Sequence, residues 1–304
     1  MPVHKTKLII NPNADLGRAW RWGSDLRPVV EEFGGADWAG TVYPTHATEL
    51  ARQAAEDGYE LVISVGGDGT THEVINGLMQ VPSQKRPRLG VVPVGTGNDF
   101  ASNVGMQTHP AAAMRQVFTG KPKKVDLGLI KSGERREYWD NTLGIGFDAV
   151  ATIHSRSVPL MRGFFVYLIA VIKTILLNHD PAHMVVETDQ GNWEDDILML
   201  VLCNGPREGG GFQVAPGAVV DDGWLNYAAI RKVSRPMMFR LIPEVMKGTH
   251  GRFRQVRMGT IKELKLKSDR PLYIHADGEI FAGFGTDVRD LTIKVLPEAL
   301  EVIV

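Results

Sequence analysis

Glycines occur together with carboxylate and hydroxyl side chains at residues 66–70, which read GGDGT. The stretch follows the apolar run LVISV and precedes a segment with helical spacing. Glycines at a strand-to-helix turn let backbone N–H groups approach a phosphate, and the helix N-terminus presents further donors. Because the Asp68 carboxylate would repel phosphates unless a cation lies between them, the stretch predicts a phosphate site that uses Mg2+. The alternative is a tight turn capped by Asp68 or Thr70.

A second loop of this kind follows the next apolar run, at residues 91–100 (VVPVGTGNDF). It gathers two glycines, a hydroxyl, an amide and a carboxylate within five residues. A third loop, residues 11–13 (NPN), follows the first apolar run. Loops at the carboxyl ends of adjacent parallel strands face one crevice, where α/β proteins bind nucleotides. The three loops therefore predict a nucleotide site, and three unrelated turns are the alternative.

Two stretches in the C-terminal half place carboxylates beside glycine: residues 221–225 (DDGWL) and 277–279 (DGE). Asp-Gly pairs are typical of hairpin turns, which is the simpler interpretation of each stretch taken alone. The alternative is chemical. Asp222 would bind a cation together with backbone carbonyls, and Asp277 would accept the proton of a substrate hydroxyl.

Several catalytic motifs are absent from the sequence, namely GxxxxGK[ST], GxSxG, HExxH and paired CxxC. The P-loop, serine hydrolase, zincin and zinc-finger interpretations therefore have no support. Residues 144–149 (GIGFDA) match the dinucleotide fingerprint GxGxxA, but they lie in a β-rich region without a βαβ unit, so we assign them no nucleotide. We expect His72 and His275 to be surface or packing residues.

The candidate loops need a scaffold, and the first 125 residues supply the pattern of a parallel α/β sheet. Short apolar runs alternate there with segments of helical spacing. The predicted strands are residues 7–10, 41–43, 61–65 and 89–92. The predicted helices are residues 26–33, 48–55 and 71–79.

After residues 121–124 the pattern changes to short β-like runs separated by glycine and proline. The predicted strands are residues 197–202, 224–230, 261–266 and 291–295, with helices at residues 158–177 and 236–246. We therefore expect an α/β domain at residues 1–124 and a mainly antiparallel β domain at residues 125–304. The last strand of the second domain is free to pack back on the first.

The composition excludes several classes of protein. Hydrophobic residues make up 43% and charged residues 23% of the 304 residues, close to globular averages, which argues against disordered, collagen-like and coiled-coil chains. The 34 Lys and Arg residues nearly balance the 35 Asp and Glu residues, so the net charge gives no reason to bind nucleic acid. The single cysteine, Cys203, cannot form an internal disulfide and is expected to be buried. No basic and apolar leader opens the chain, and we expect a cytoplasmic protein.

Residues 164–177 (FFVYLIAVIKTILL) form the most apolar segment. A membrane span needs about 20 apolar residues, so this segment predicts a helix packed on the protein and not a transmembrane span. Its aromatic residues Phe164, Phe165 and Tyr167 keep contact with a membrane surface as the alternative.

Taken in order, these stretches resemble the lipid kinase family that includes bacterial diacylglycerol kinases and the catalytic domains of eukaryotic diacylglycerol and sphingosine kinases. The resemblance covers most of the chain. It comprises residues 11–12 (NP), 66–77 (GGDGTTHEVING), 93–101 (PVGTGNDFA), 204–205 (NG), 209–212 (GGGF), 215–216 (AP), 221–223 (DDG) and 277–279 (DGE). It implies an α/β N-terminal domain with a parallel sheet, similar to NAD kinase and phosphofructokinase, which binds the nucleotide. It also implies a mainly antiparallel β C-terminal domain that binds the lipid.

The resemblance also implies cofactors and site residues. ATP and Mg2+ are the expected cofactors. The catalytic residues would be Asp277 as the proton acceptor, Glu279 and Asp68. The nucleotide-binding residues would be Asn11, Thr45, Gly66, Gly67, Asp68, Gly69, Thr70, Glu73, Thr96, Asn98 and Asp99. A structural Mg2+ site would consist of Asp222 with the backbone of Val219 and Trp224.

The first loop departs from the family pattern, which usually reads NPxSGxG. Here Ala14 and Asp15 stand where a serine and a glycine are usual. Because an acidic side chain repels phosphate, we expect weaker nucleotide contacts from this loop. Asn226 also stands where an aspartate is common after the DDGxL motif.

The sequence thus predicts an ATP- and Mg2+-dependent kinase that phosphorylates the hydroxyl of diacylglycerol or a related lipid during transient contact with a membrane surface. Bacterial relatives can form dimers, so a homodimer is one expectation. Two alternatives remain: a kinase of a soluble substrate, such as NAD kinase, and a non-catalytic lipid-binding or regulatory protein of the same fold. The stretches at residues 93–101 and 277–279 count against the first. The retained Asp68, Asp222 and Asp277 count against the second.

Overall fold

The computed structural model describes residues 5–17, 19–156 and 164–304. The chain forms two compact units. The first comprises residues 1–126 and 298–304, and the second comprises residues 127–297. The last seven residues thus belong to the unit that contains the beginning of the chain.

The strands of the described residues are β1 Thr6–Ile10, β2 Asp37–Gly40, β3 Leu61–Gly66, β4 Arg88–Pro93, β5 Pro122–Ser132, β6 Arg135–Trp139, β7 Thr142–Gly146, β8 Ala182–Thr188, β9 Gly191–Cys203, β10 Leu225–Arg231, β11 Val256–Ile261, β12 Glu263–Ser268, β13 Ile274–Ala276, β14 Glu279–Ala282 and β15 Asp290–Ile303. The α-helices are α1 Ala14–Gly17, α2 Ala19–Glu32, α3 His46–Glu56, α4 Asp68–Leu78, α5 Asp99–Asn103, α6 Pro110–Thr119, α7 Phe147–Ser155, α8 Phe164–Leu177 and α9 Arg235–Met246. Two short 3-10 helices cover Ser83–Lys85 and His250–Arg252.

The first unit is built on a parallel sheet with the strand order β4-β3-β1-β2. All six residues of β3 are buried, as expected for a strand that is covered on both faces by helices. The end of β15 joins the edge of this sheet, where Val302 pairs with Leu89 of β4 in parallel. The predicted parallel α/β domain is therefore confirmed. The carboxyl ends of β1, β3 and β4 place the three candidate loops at one edge of the sheet.

The strand predicted at residues 41–43 is wrong. The second strand lies earlier, at Asp37–Gly40, where Ile10 at the end of β1 pairs with Gly40. Only one further backbone contact follows, from the N–H of Thr41 to the carbonyl of Ile10. Pairing with β1 therefore overrides the stronger β propensity of residues 41–43, because a strand ends where its partner ends.

The second unit is an antiparallel structure in which β9 is the central strand. The first half of β9 pairs with β8, and its second half pairs with β7 on one side and β10 on the other. The path continues from β8 through β12 to β15, and from β7 through β13 to β14. Side chains alternate along β8, where Ala182, Met184 and Val186 face a core that all these strands share. A second core forms between the other face of β9 and helices α7, α8 and α9. The predicted antiparallel β domain is confirmed.

The single strand predicted at residues 261–266 is wrong, because the chain changes partners at Lys262. Strand β11 pairs with β10, whereas β12 pairs with β8 and β15. The Asp189 carboxylate accepts the N–H groups of Lys262 and Glu263 at 2.9 and 3.2 Å and so fixes the corner. The apolar run continues through the corner, and therefore the sequence pattern alone does not mark it.

Helix α8 has one buried and one exposed apolar face. Ala170, Val171 and Ile175 face the protein, whereas Phe165 and Leu176 are more than half exposed. A helix was expected at residues 158–177, and its first part, residues 158–163, lies outside the described residues. No helix in the described part of the chain is long and apolar enough to cross a membrane.

Candidate functional site

The three candidate loops of the first unit contact one another. The Asn11 side-chain amide donates to the Thr70 hydroxyl at 3.1 Å, which joins the loop after β1 to the loop after β3. The N–H of Phe100 donates to the Asp68 carboxylate at 3.3 Å, and this bond joins the loops after β3 and β4. The three stretches thus contact one another at one edge of the sheet, as the prediction of a shared site requires.

Close packing of the two glycine-rich loops requires the absence of side chains. A Cβ atom at Gly95 would overlap the Cα atom of Gly67, and one at Gly97 would lie 2.6 Å from the Asp68 carboxylate. The Asn98 side chain closes the second loop, since it accepts the N–H of Gly95 at 3.0 Å and donates to the Gly95 carbonyl at 2.8 Å. The glycines therefore allow backbone to approach backbone.

Helix α4 begins at Asp68 with Gly67 as its N-cap residue, and Gly67 supplies no side-chain hydrogen bond. The alternative of a turn capped by Asp68 or Thr70 is therefore wrong, because Asp68 already lies in the first helical turn and Thr70 is buried inside it. The first N–H groups of a helix have no partners within the helix and attract anions. Gly69 lies in this same turn, where the sequence predicts phosphate.

Glu73 and Thr45 serve a structural purpose that the sequence did not predict. One Glu73 oxygen accepts the N–H of Thr45 at 2.8 Å and the other accepts the N–H of Ala47 at 3.1 Å. Thr45 has a φ of 71°, in the left-handed region, and precedes helix α3. Glu73 thereby ties the start of α3 to α4. Among the other predicted residues, Thr96 is exposed, whereas Asp99 is buried at the start of α5.

In the second unit, Asp277 and Gly278 form the two-residue turn between β13 and β14. Both have positive φ values, 51° and 85°, which are those of a hairpin turn that favours Asp-Gly. The simpler interpretation of this stretch is therefore correct in its geometry. The Asp277 carboxylate nevertheless does more than a turn requires, because it accepts three backbone N–H groups from Asp140, Asn141 and Thr142 at 2.9, 2.9 and 3.0 Å.

The three donors converge because buried Asn204 holds their segment in place. Its side chain donates to the Asp140 carbonyl at 2.8 Å, and its N–H donates to the Asn141 carbonyl at 2.8 Å. The Asn141 side chain donates in return to the Arg207 carbonyl at 2.9 Å. The NG sequence at residues 204–205 therefore supports the base of the Asp277 site.

Arg156, at the end of α7, holds the other side of the turn. Its guanidinium donates to the Gly278 carbonyl at 2.8 Å and pairs with Glu279 at 2.8 Å. Glu279 thus lies two residues after Asp277, and its charge is balanced by an arginine. No motif in the sequence pointed to Arg156.

A buried charged cluster behind the turn was missed by the sequence analysis. His275 is fully buried, and its Nε2 lies 2.9 Å from the Asp148 carboxylate and 3.1 Å from that of Glu208. The Tyr167 hydroxyl donates to Asp148. The expectation that His275 is a surface or packing residue agrees with its burial, but it did not include the two carboxylates that face its ring. The discounted stretch at residues 144–149 was the available signal, because it contributes Asp148.

The electrostatics of this cluster favour one retained proton. Burial would lower the pKa of His275, but the negative charge of Glu208 and hydrogen bonding to Asp148 raise it, and they hold a proton on Nε2. Burial would raise the pKa of Asp148, but its hydrogen bond and attraction to His275 lower it. Burial beside both carboxylates raises the pKa of Tyr167 well above its ordinary value, so Tyr167 remains a neutral donor.

The same three residues could be taken for a metal site, since their ligand atoms lie within 4.8 Å of one another. The hydrogen bond from the N–H of Gly278 to Nδ1 of His275, at 3.1 Å, decides against this. An accepting Nδ1 carries no proton, so the proton of a neutral ring is on Nε2, which then donates to the carboxylates and cannot bind a metal. Mg2+ also prefers ligands that are all oxygen. The cluster therefore does not fit Mg2+.

The predicted metal residues lie in an exposed turn. The Asp222 carboxylate accepts the N–H of Trp224 at 3.0 Å, and Gly223 between them has a φ of 75°. Val219 is about half exposed. A carboxylate with backbone carbonyls is the donor set that suits Mg2+, so these residues fit the ion in chemistry. The Lys262 ammonium lies 4.5 Å from the centre of the Trp224 ring.

A cavity of about 70 Å3 opens beside the buried cluster, within the second unit. Its walls are apolar and come from α7, α8, α9 and strands of the sheet; they include Phe147, Val171, Ile175, Phe212, Met238 and Leu241. Asp148, Glu208 and Tyr167 also line it. The cavity therefore has apolar walls and a polar end that is formed by the cluster.

Comparison with known proteins agrees with this architecture. The family model described as "Diacylglycerol kinase catalytic domain" matches residues 5–130. The model described as "YegS C-terminal NAD kinase beta sandwich-like domain" matches residues 141–304.

Individual relatives cover most of the chain. A probable lipid kinase YegS-like of Chromohalobacter salexigens is 35% identical over 76% of this chain and 73% of its own. The diacylglycerol kinase of Bacillus subtilis is 27% identical over 91% of this chain and 90% of its own. A crystal structure of a putative diacylglycerol kinase from Bacillus anthracis has the same fold, with a TM-score of 0.80 and 22% identity over 100% of this chain and 98% of that one. The chain belongs to the family of lipid kinases that includes the diacylglycerol kinases and the YegS-like proteins.

Proposed function

We propose that this lipid kinase transfers the γ-phosphate of ATP, with Mg2+, to a hydroxyl of diacylglycerol or a closely related lipid. The observation that carries the proposal is the Asp277 carboxylate, which three backbone N–H groups hold at an Asp-Gly turn. Phosphoryl transfer depends on positioning and electrostatics, and a fixed aspartate that receives the acceptor proton is a recurring part of it.

The first unit supplies the nucleotide site. The glycine loops after β3 and β4 leave backbone N–H groups and the first turn of α4 to receive phosphates. Bound Mg2+ would offset the negative charge that the phosphates and nearby carboxylates bring together. Asp68 and Asp99 are the carboxylates of these loops, and Asp222 is the proposed metal ligand of the second unit. Asn11, Thr70 and Asn98 keep the loops in place.

The second unit supplies the acceptor. The lipid hydroxyl oxygen forms a bond to the γ-phosphorus while the bond to the ADP oxygen breaks, and the hydroxyl proton passes to the Asp277 carboxylate. General-base help of this kind is worth about 10² to 10⁴ in rate. Glu279 and Arg156 hold the adjacent residues of the turn, so they limit its movement.

The lipid class follows from the apolar surfaces of the second unit. Small-molecule pockets usually measure about 300 to 1,000 Å3, so a cavity of about 70 Å3 suits a segment of one acyl chain and not a whole lipid. The rest of the lipid would stay in the membrane. The exposed stripe of α8, formed by Phe165, Ile169, Ile172 and Leu176, recurs at helical spacing and suits contact with a membrane surface.

The membrane contact is tested with vesicles that contain phosphatidylglycerol. Phe165→Ser together with Leu176→Ser should weaken sedimentation with the vesicles, because the helix loses its two most exposed large side chains of this stripe. Trp20→Ser is the matched control, since Trp20 is an equally exposed aromatic residue of the first unit. Equal binding by all three proteins would contradict a role of α8.

The function is tested by phosphate transfer from labelled ATP with Mg2+. The acceptors are diacylglycerol, phosphatidylglycerol, sphingosine, ceramide, NAD and fructose 6-phosphate. Asp277→Asn should abolish most transfer to the lipid. Asp57→Asn is the matched control, because Asp57 precedes a glycine in an exposed turn of the first unit.

The outcomes separate the alternatives. If the wild type transfers label to one lipid and Asp277→Asn does not, the result supports the proposal and names the substrate. Label in NAD or in the sugar phosphate instead would favour a kinase of a soluble substrate. Lipid binding without transfer to any acceptor would favour a non-catalytic protein of this fold.

A further inference from the structure

The Asp277–Gly278 turn is held by a side chain from its own hairpin. The N–H of Gly278 donates to Nδ1 of His275 at 3.1 Å, three residues earlier in the chain. The Asp277 carboxylate is held separately by the backbone of residues 140–142. The position of this carboxylate therefore depends both on His275 and on that backbone segment.

Two carboxylates fix the His275 ring. Its Nε2 faces Asp148 at 2.9 Å and Glu208 at 3.1 Å, and all three side chains are at most 9% exposed. Gly144 lies opposite His275 on the neighbouring strand β7. A Cβ atom at Gly144 would overlap both the Asp148 carboxylate and the His275 ring, so a glycine is required there.

The cluster continues to helix α8. The Tyr167 hydroxyl donates to the other oxygen of Asp148. The Tyr167 ring packs edge-on against Phe212 with the ring centres 5.4 Å apart, and it also lies against Gly209. Tyr167 and Phe212 line the apolar cavity. The wall of the cavity is thus two hydrogen bonds from His275.

The backbone segment that holds the Asp277 carboxylate leads to the same wall. Asn141 of this segment donates to the carbonyl of Arg207, the residue before Glu208. Glu208 in turn pairs with Phe212 through backbone hydrogen bonds in both directions. Both supports of the Asp277 turn therefore meet at residues 207–212, beside Tyr167.

We propose that His275 is a positioning residue for Asp277, and that Tyr167 couples it to the apolar cavity, so that a lipid chain in the cavity and the placement of the Asp277 carboxylate favour each other. The proposal rests on the proposed function, in which Asp277 accepts the proton of the lipid hydroxyl. Coupling of this kind requires only that the lipid chain binds more tightly in the cavity when the Asp277–Gly278 turn is correctly placed.

The geometry of the cluster suggests a conservative variant. Glu208 faces Nε2 of His275 at 3.1 Å, beside Asp148 at 2.9 Å. Glu208→Gln keeps the length of the side chain and an oxygen that can accept the Nε2 proton, so it should preserve the cluster. Asp148→Asn should not, because Asp148 is the acceptor for both Tyr167 and His275.

The first experiment measures steady-state kinetics with ATP and the acceptor that the transfer assay identifies. His275→Gln removes the acceptor for Gly278, and we expect kcat to fall about 10²-fold, as for a misplaced catalytic group. The KM for lipid should rise by a smaller factor, because the lipid chain and the placement of the turn favour each other. Glu208→Gln should retain much more of the wild-type kcat. His183→Gln is the matched control, because His183 pairs with Asp196 at 3.1 Å on the exposed side of β8.

The second experiment needs no activity. Amide hydrogen exchange of residues 140–142 and 278 is compared in the wild type, His275→Gln, Glu208→Gln and His183→Gln. The exchange of these amides should become faster in His275→Gln only. Unchanged exchange in His275→Gln would overturn the positioning role, whatever the kinetics show.

The third experiment tests the coupling with Tyr167→Phe, which removes one hydroxyl and keeps the ring. In the wild type, kcat should be higher for 1,2-dioctanoylglycerol than for 1,2-dibutyrylglycerol, because only the longer chain fills the cavity. In Tyr167→Phe this ratio should approach one. A ratio equal to that of the wild type would overturn the coupling.

The outcomes distinguish this proposal from the proposed function. If Asp277→Asn retains the wild-type rate, Asp277 is not the base, and hydrogen exchange still decides whether His275 holds the turn. If Asp277→Asn is inactive while His275→Gln keeps its kcat, only the positioning role is wrong. If His275→Gln does not fold, Tyr167→Phe provides the test through the same exchange measurement, in which unchanged amides overturn the proposal.

Discussion

The two units each place an aspartate beside glycine, but they use the pair in different ways. In the first unit, Asp68 opens helix α4 after Gly67, and its carboxylate accepts the N–H of Phe100 at 3.3 Å. In the second unit, the Asp277 carboxylate accepts three N–H groups at 2.9 to 3.0 Å. The first arrangement leaves the donors of a helix N-terminus for a ligand. The second uses backbone donors to fix a carboxylate.

The surroundings of the two aspartates also differ, and they agree with these two uses of the backbone donors. Glycines and the Asn98 side chain shape the loops around Asp68, which suits the approach of a phosphate to the backbone. A buried charged cluster stands behind Asp277. Buried charges are costly unless they are paired, and the removal of one partner is strongly destabilising. A buried network whose members are all paired is rigid, so we expect the cluster to hold the turn in a single arrangement.

The comparison is tested most directly by the same substitution at the two aspartates. Asp277→Asn should lower kcat by about 10² to 10⁴-fold with little effect on the affinity for ATP. Asp68→Asn should instead alter the affinity for ATP with Mg2+, because Asp68 lies in the loop that would receive phosphates. Isothermal titration with a non-hydrolysable ATP analogue, beside the kinetics, separates the two effects. Equal effects of both variants on ATP affinity would remove the distinction between the two turns.

Alanine at a close-packed glycine of each unit gives a second test. Gly144→Ala would press on the Asp148 and His275 side chains, and Gly95→Ala would press on the backbone of Gly67. Each should lower the free energy of unfolding by about 1 to 3 kcal/mol, as overpacking does. We expect Gly144→Ala to lower kcat and Gly95→Ala to raise the KM for ATP. Urea unfolding and steady-state kinetics measure these effects, and the reverse assignment would contradict the roles given to the two loops.

Much of the fold could be predicted from local sequence. The apolar runs at residues 7–10, 61–65 and 89–92 are strands because parallel strands buried on both faces need continuous apolar residues. The strand at Asp37–Gly40 could not be found in this way. Its residues have weak β propensity, and it exists because β1 offers it a partner as far as Ile10.

The sequence by itself determined the glycine–aspartate loops and the Asp277 turn, because their chemistry resides in adjacent residues whose conformations are local. Only the tertiary structure decided what stands behind that turn. Asp148, Glu208 and His275 are separated by 60 and 67 residues, and they meet because β7 pairs with β9 on one side and β13 on the other. A buried charge is stable only where its partners converge. That convergence is a property of strand pairing and not of any single stretch of sequence.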